Sequence, residues 1–214
     1  MSSKAVTGGV LILVGVLTGM AQAPKSGAFS PVNRDLVGWA EPAVGATPSQ
    51  PVKFRTAMRF HYTQQQFQPV FTVTPIARTA ARYNTPEDAM LARVSAIVTG
   101  DYDWWLSIWD AGSRKEQEER MKAPGEAEKM VAGWKDLYAH NHIELQHKIA
   151  YGQYVIVTYK VVPNGAGQGN PSEFPTVFHL EGGAWKSTND LRSDPLVPMS
   201  PWNTGKSEYE ESFK

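Results

Sequence analysis

The spacing of apolar residues changes along this chain, and its first regular stretch predicts strands. Apolar and basic residues alternate over residues 52–62, a period of two that is typical of an amphipathic strand. Residues 67–74 are long enough to pair back as a second short strand, limited by Pro69 and Pro75. We therefore expect the folded domain to begin at residue 52.

After these strands, apolar residues recur every three or four positions in three segments, which predicts three helices. Thr85 and Pro86 have the chemistry of a helix start, and Gly100 that of a helix end. Asp101 can cap a second helix that carries three tryptophans, and a third helix is predicted over residues 126–140.

The period of two returns after residue 141 and predicts an antiparallel meander. Its strands cover residues 143–149, 154–162, 176–180 and 184–188, with a hairpin turn at Gly182-Gly183. Three prolines after Leu191 preclude regular strands, so residues 192–214 are predicted to be an irregular, solvated tail. Residues 24–51, rich in Pro, Gly, Ala and Ser, are predicted to be a linker or a loosely ordered arm.

The N-terminus has the pattern of an export signal. Lys4 precedes an uncharged, largely apolar run that ends at Ala23. Pro24 disfavours cleavage after Ala23, so residues 1–23 are either a signal peptide or a retained membrane anchor. We expect an exported protein, periplasmic or extracellular, that touches a membrane only if this segment is uncleaved.

Composition excludes several functions. The chain has 21 basic and 21 acidic residues, so no net field attracts nucleic acid. It has no cysteine, hence no disulfide and no thiolate metal site. His140, His142 and His179 are too weakly patterned to predict a metal site, and no cofactor is expected.

Residues 85–191 resemble the nuclear transport factor 2-like superfamily, which includes SnoaL-like cyclases and ketosteroid isomerases. The resemblance rests on residues 85–88 opening the first helix, residues 100–103 leading into the tryptophan-rich residues 104–109, and the closing hairpin at residues 182–186. It implies an α+β fold: a curved antiparallel sheet packed against about three helices in a cystatin-like cone, with an irregular N-terminal arm. The open sheet of such a fold also allows a homodimer.

Two kinds of site follow from that resemblance. An isomerase needs a base and a proton donor in one pocket, for which the chain offers Asp101, Tyr159 and His147. Asp101 is better explained as a helix cap, and Tyr159 as a core tyrosine, than as catalytic residues. For an aromatic ligand rim, the candidates are Tyr102 and Trp104, with Tyr159 and His179 as further contacts.

The leading hypothesis is an exported, non-catalytic domain that binds a small apolar or aromatic ligand or a partner protein. The alternative is an isomerase, cyclase or dehydratase of ketosteroid isomerase-like or SnoaL-like type. Trp185 is predicted to lie in the core beside Tyr154 or Phe178, and Trp104 at the rim of the pocket.

Overall fold

The computed structural model describes residues 28–41, 54–165, 172–203 and 208–212. A short 3-10 turn, Arg78–Ala80, precedes the first helix. The strands are β1 Ser30–Glu41, β2 Phe54–Thr72, β3 Asn141–Tyr151, β4 Tyr154–Pro163, β5 Phe174–Glu181, β6 Ala184–Ser187 and β7 Glu208–Ser212; the helices are α1 Pro86–Thr99, α2 Tyr102–Ser107, α3 Ala111–Arg120, α4 Glu126–Ala139 and α5 Leu196–Met199.

The strands form one sheet in the order β6-β5-β4-β3-β2-β1-β7. Neighbours from β6 to β1 are antiparallel, and β7 runs parallel to β1. The β5–β6 hairpin turns through Gly182 and Gly183, both at positive φ (59° and 82°), as a tight two-residue turn requires. The meander predicted for the second half of the chain is confirmed.

Local chemistry fixes the helix corner that the sequence predicted. The Asp88 N–H donates to Thr85 Oγ1 at 3.1 Å and begins α1. Gly100 ends that helix at φ 69°, and a Cβ there would lie 2.7 Å from Lys135 Cε. The Trp104 N–H then donates to Asp101 Oδ1 at 2.9 Å, which caps α2.

Both faces of the sheet are covered. Val157 packs with α1 residues such as Met90 and Val94, whereas the preceding residue, Ile156, packs with Leu196 and Trp202. Since consecutive strand residues point to opposite faces, α1 covers one face and the C-terminal segment covers the other. A third cluster, made of α1 and the tryptophan-rich corner, contains Ala92, Ala96, Trp104, Trp105, Leu106, Ile108 and Trp109.

The predicted cone is wrong as a description of this fold. The described residues contain five helices rather than about three, and residues 30–41 form β1 where an irregular arm was expected. The structure is a sheet-dominated α+β fold. Composition misled here because β1 is held by backbone pairing with β2, from Ser30 opposite Gln64 to Ala40 opposite Phe54, which the Pro and Gly content of residues 24–51 does not reveal.

Two boundaries also need correction. Residues 52–62 and 67–74 do not pair with each other, because β2 continues through Thr72 with a register shift against β3 between Gln66 and Phe71. Residues 192–203 are not a solvated tail: Leu196 is 1% and Trp202 2% exposed. Three prolines prevent a strand in residues 192–203 but permit the short α5, which covers the sheet through Leu196; β7 follows at Glu208–Ser212.

Trp185 packs against the cluster that contains Phe178, as predicted, but it is half-buried rather than part of the fully buried core. No helix in the described ranges is both long and apolar enough to cross a membrane. Residues 1–23, on which the export prediction depends, lie outside those ranges.

Candidate ligand-binding site

Arg93 is a charged residue inside an apolar helix. It follows Ala92 and precedes Val94 in α1, both of them buried. Its guanidinium carbon lies 4.6 Å from the centre of the Trp109 ring and 5.5 Å from that of Trp105. Stacking on indole rings stabilises a cation through the ring quadrupole. The tryptophan-rich corner therefore holds the Arg93 side chain in place.

The Arg93 guanidinium has no acidic partner among the described residues. Its Nη1 nitrogen is buried and has no hydrogen-bond acceptor, and no described carboxylate is within ion-pairing distance. Burial lowers the pKa of Arg93, but an arginine remains protonated at neutral pH. A buried charge without a partner is unfavourable, and the indole rings offset only part of that cost.

Two phenols share this environment. Burial raises the pKa of Tyr138, and the positive charge of Arg93 acts in the opposite direction. The same two effects act on Tyr159, whose pKa is also raised by burial. The ring of Tyr159 packs against Phe174 with centroids 5.8 Å apart. Both phenols therefore remain neutral hydrogen-bonding groups near Arg93 and cannot neutralise its charge.

Arg93 lines a small space that we call the inner cavity. Its volume is about 130 Å³. The Trp109 Nε1–H, like Arg93 Nη1, is buried without an acceptor. Two hydrogen-bond donors of lining residues, one from Arg93 and one from Trp109, thus lack acceptors in the described structure. The inner cavity is lined by Arg93, Trp109, Pro175, Thr176, Val177, Thr188, Asn189, Arg192 and Val197.

Backbone contacts place the walls of this cavity. The Ser187 N–H donates to the Ile108 carbonyl at 2.9 Å, and the Asp110 N–H donates to the Ser187 carbonyl at 2.9 Å, so β6 holds Trp109. The Thr188 N–H donates to the Val177 carbonyl at 3.0 Å, which brings the chain after β6 alongside β5. The cavity is therefore built on backbone hydrogen bonds between regular elements.

A polar groove of about 350 Å³, the outer groove, lies next to the inner cavity. The two spaces share Asn189 and Arg192. Glu116 Oε2 accepts hydrogen bonds from Arg192 Nη1 at 2.8 Å and from Asn189 Nδ2 at 3.1 Å. The backbone N–H of Asn189 donates to Ser113 Oγ at 2.8 Å, which ties this loop to α3. Arg192 and Asn189 thus stand at the boundary between groove and cavity.

A larger cleft of about 560 Å³ lies between the start of α2 and one side of α4. It contains two predicted site residues, Asp101 and Tyr102. The Tyr102 ring is half-buried against Trp105, with centroids 5.8 Å apart, and burial raises the pKa of its phenol. None of the buried, unsatisfied polar atoms of the described residues belongs to the lining of this cleft. Its polar groups do not require a ligand.

Trp104 lies in the core, so its predicted place at a ligand rim is wrong. It is 2% exposed, and its Nε1–H donates to Tyr83 Oη at 3.0 Å. The sequence did not show which of Trp104 and Trp105 is buried. Both are, because the short helix α2 is covered on several sides. A satisfied, buried indole has no group to offer a ligand.

The other predicted residues occupy separate environments. Asp101 is a helix cap whose carboxylate is also 3.3 Å from Arg78 Nη1. His179 Nε2 lies 3.4 Å from Asp110 Oδ2, outside hydrogen-bonding geometry, and its ring stacks on Tyr154 at 6.2 Å. Asp101, His179 and the phenol of Tyr159 are thus held by different neighbours.

His147 has a carboxylate partner that the sequence did not predict. Its Nδ1 lies 2.9 Å from Glu173 Oε2, and that oxygen also accepts a 2.9 Å hydrogen bond from Thr158 Oγ1. The side chains of His147 and Glu173 are 11% and 6% exposed. An imidazole held through Nδ1 offers Nε2 as a base. Thr158 and Tyr159 are consecutive in β4, so His147 and Tyr159 lie on opposite faces of the sheet.

Sequence reasoning missed Arg93, Trp109 and Arg192 as site residues. One signal was available for the first, since Arg93 is the single charged residue between Ala89 and Thr99 in a helix whose other residues are mostly apolar. Nothing local marks Arg192, because an arginine in a polar loop is ordinarily solvated.

Comparison with known proteins adds little to this geometry. No protein-family model and no curated protein matches the chain. A SEC-C motif containing protein from Rhodopseudomonas palustris, known from a solution structure, is similar over 50% of this chain and 77% of its own, with 14% identity and a TM-score of 0.34. A likeness at that level carries no functional argument.

Proposed function

We propose that this protein is an exported, non-catalytic binding domain for a small anionic ligand, which occupies the inner cavity with its anionic group on Arg93. The observation that carries the proposal is the buried Arg93 guanidinium, which lines a cavity and has no acidic partner in the described structure. A carboxylate or another oxyanion would satisfy it with charge-assisted hydrogen bonds.

The indole rings support the same assignment. They position the guanidinium before a ligand arrives, which lowers the ordering cost of binding. The Trp109 Nε1–H adds a neutral donor without an acceptor. A bound anion can accept hydrogen bonds from both donors, the charged Arg93 guanidinium and the neutral Trp109 indole.

The isomerase alternative is less well supported. A base and a proton donor must meet in one pocket to act on one substrate. Tyr159 and His147 lie on opposite faces of the sheet, and Asp101 is engaged as a helix cap with Arg78. Binding without turnover therefore fits this set of residues better.

Thermal melts of the full chain test the binding proposal, with acetate, malonate, phosphate and sulfate as probes at constant ionic strength. We expect at least one anion to raise the melting temperature saturably, by a few degrees at about 100 times its Kd. Arg93→Met should abolish the effect. Arg114→Met is the matched control, because Arg114 is an exposed arginine paired with Glu118. An anion effect that survives in Arg93→Met, or no saturable effect from any probe, contradicts the proposal.

Export has its own test. Mass spectrometry of the protein from its native host should find a mature chain that starts near Gln22 or slightly later, because residues 1–23 have the pattern of a signal. A full-length membrane form would favour the anchor instead. A full-length soluble form in the cytoplasm would contradict export.

A further inference from the structure

The two arginines of the inner cavity lie at different depths, and this inference about the ligand rests on the function proposed above. Arg93 Nη1 is buried. Arg192, by contrast, has a side chain that is 66% exposed and also lines the outer groove. One cation of the cavity lining is therefore buried and the other is largely exposed to solvent.

The volume of the inner cavity limits the ligand to a compact molecule. At about 130 Å³, the inner cavity is well below the volume of the pockets that hold drug-sized ligands. A guanidinium pairs with a carboxylate or a phosphate in a bidentate geometry. A short molecule with a carboxylate at each end would satisfy both arginines, whereas phosphate carries its charge on a single centre.

Arg192 is already held by a carboxylate that a ligand could replace. Its Nη1 is 2.8 Å from Glu116 Oε2, and the Glu116 side chain is 47% exposed. Exposed ion pairs contribute little to stability, so exchange of this partner is not costly. Glu116 is thus a built-in competitor for the second carboxylate of a ligand.

We infer that the ligand is a small dicarboxylate, which places one carboxylate on Arg93 and the other on Arg192 in exchange for Glu116. The outer groove is its way in, since the groove and the cavity share Asn189 and Arg192. Glu116 then sets the affinity, because it holds Arg192 until the ligand displaces it.

Calorimetric titration of the full chain with malonate and propionate tests this inference. Malonate should bind at least about tenfold more tightly than propionate, the gain expected from one added charged hydrogen-bonding pair. Arg192→Gln should remove that preference, because it should weaken malonate binding much more than propionate binding. Glu116→Gln should strengthen malonate binding in the wild-type background and have no effect in Arg192→Gln. Both residues are exposed, so these variants should keep the fold, which circular dichroism checks.

Equal affinities for malonate and propionate, both dependent on Arg93, would overturn the dicarboxylate inference while leaving the proposed function in place. Tighter binding of phosphate than of malonate would overturn it as well. If Arg93→Met bound malonate and propionate as the wild type does, the proposed function itself would fail.

Discussion

Helix α1 contains one largely buried cation, Arg93, and contacts another, Lys148, but only Lys148 has a carboxylate partner among the described residues. Lys148 on β3 reaches Glu87 in the first turn of α1, with Nζ 2.6 Å from Oε1 and side chains only 16% and 12% exposed. Arg93 lies six residues further along the same helix, roughly 9 Å along its axis, and meets indole rings instead of a carboxylate. The same helix thus supplies an acid to one cation and none to the other.

This difference separates a structural charge from a binding charge. A buried ion pair is costly to break, because removing one partner leaves the other charge uncompensated. Lys148 is satisfied within the fold, and its Nζ also lies 5.4 Å from the Phe29 ring. Arg93 is fixed in position but not neutralised by any residue that the structure describes, so we expect an anionic ligand as its partner.

Breaking the satisfied pair should have the largest effect. Glu87→Gln removes the carboxylate from Lys148 and should lower the free energy of unfolding by about 3 to 5 kcal/mol. Chemical denaturation measures this change. The double variant Glu87→Gln/Lys148→Met is the control and should recover most of the stability, because neither member of the pair is left as an uncompensated charge. If the free energy of unfolding of Glu87→Gln fell by less than about 1 kcal/mol, the Lys148–Glu87 pair would contribute no more than an exposed ion pair, and the contrast with Arg93 would fail.

Removing the unsatisfied cation should change stability much less. Arg93→Met loses the contacts with two indole rings but also removes a buried charge, so we expect a stability within about 1 kcal/mol of the wild type. Denaturation of this variant beside Glu87→Gln gives the comparison directly. A loss as large as that of Glu87→Gln would show that Arg93 has a structural role.

The smallest expected effect is a dependence of stability on alkaline pH, which arises from the two tyrosines near Arg93. Burial raises the pKa of Tyr138 and Tyr159 in the folded protein. Above the ordinary tyrosine pKa of 10.0, the unfolded chain ionises before the folded one. The stability that these neutral phenols contribute is therefore present below that pH and is lost as pH rises through their folded pKa.

Tyr138→Phe should reduce this alkaline loss of stability, as followed by denaturation at neutral and alkaline pH. Arg93→Met should raise the pKa of Tyr138 further, since the guanidinium lowers it. Ultraviolet difference spectra of the phenolates would detect this. An unchanged or lowered phenol pKa in Arg93→Met would place Arg93 too far away to act on them.

The sequence predicted those parts of the fold that local chemistry determines. Thr85, Pro86 and Gly100 mark α1 because caps act through the nearest backbone groups. The β5–β6 hairpin follows from Gly182-Gly183 for the same reason. In contrast, β1 and the segment around Trp202 owe their order to distant strands, and composition alone presents them as irregular.

The candidate site was harder to predict because its distinguishing feature is a missing contact. The sequence predicted Asp101 and Tyr102 as site residues from their position at a helix corner. In the structure, however, the Asp101 carboxylate accepts a hydrogen bond from the Trp104 N–H and pairs with Arg78. Arg93 is an ordinary helix residue until its tertiary neighbours are known. Only the packed structure shows that those neighbours are tryptophans and that no described carboxylate is near.

The central claim is that an anion binds Arg93 and Trp109, and indole N–H resonances test it most directly. The chain has 7 tryptophans, and the Trp109 signal can be assigned with Trp109→Phe. Malonate added to the full chain should shift the Trp109 indole resonance saturably, because Trp109 lines the inner cavity. The shift should vanish in Arg93→Met. A Trp109 resonance that malonate does not move, or that moves equally without Arg93, would contradict the account.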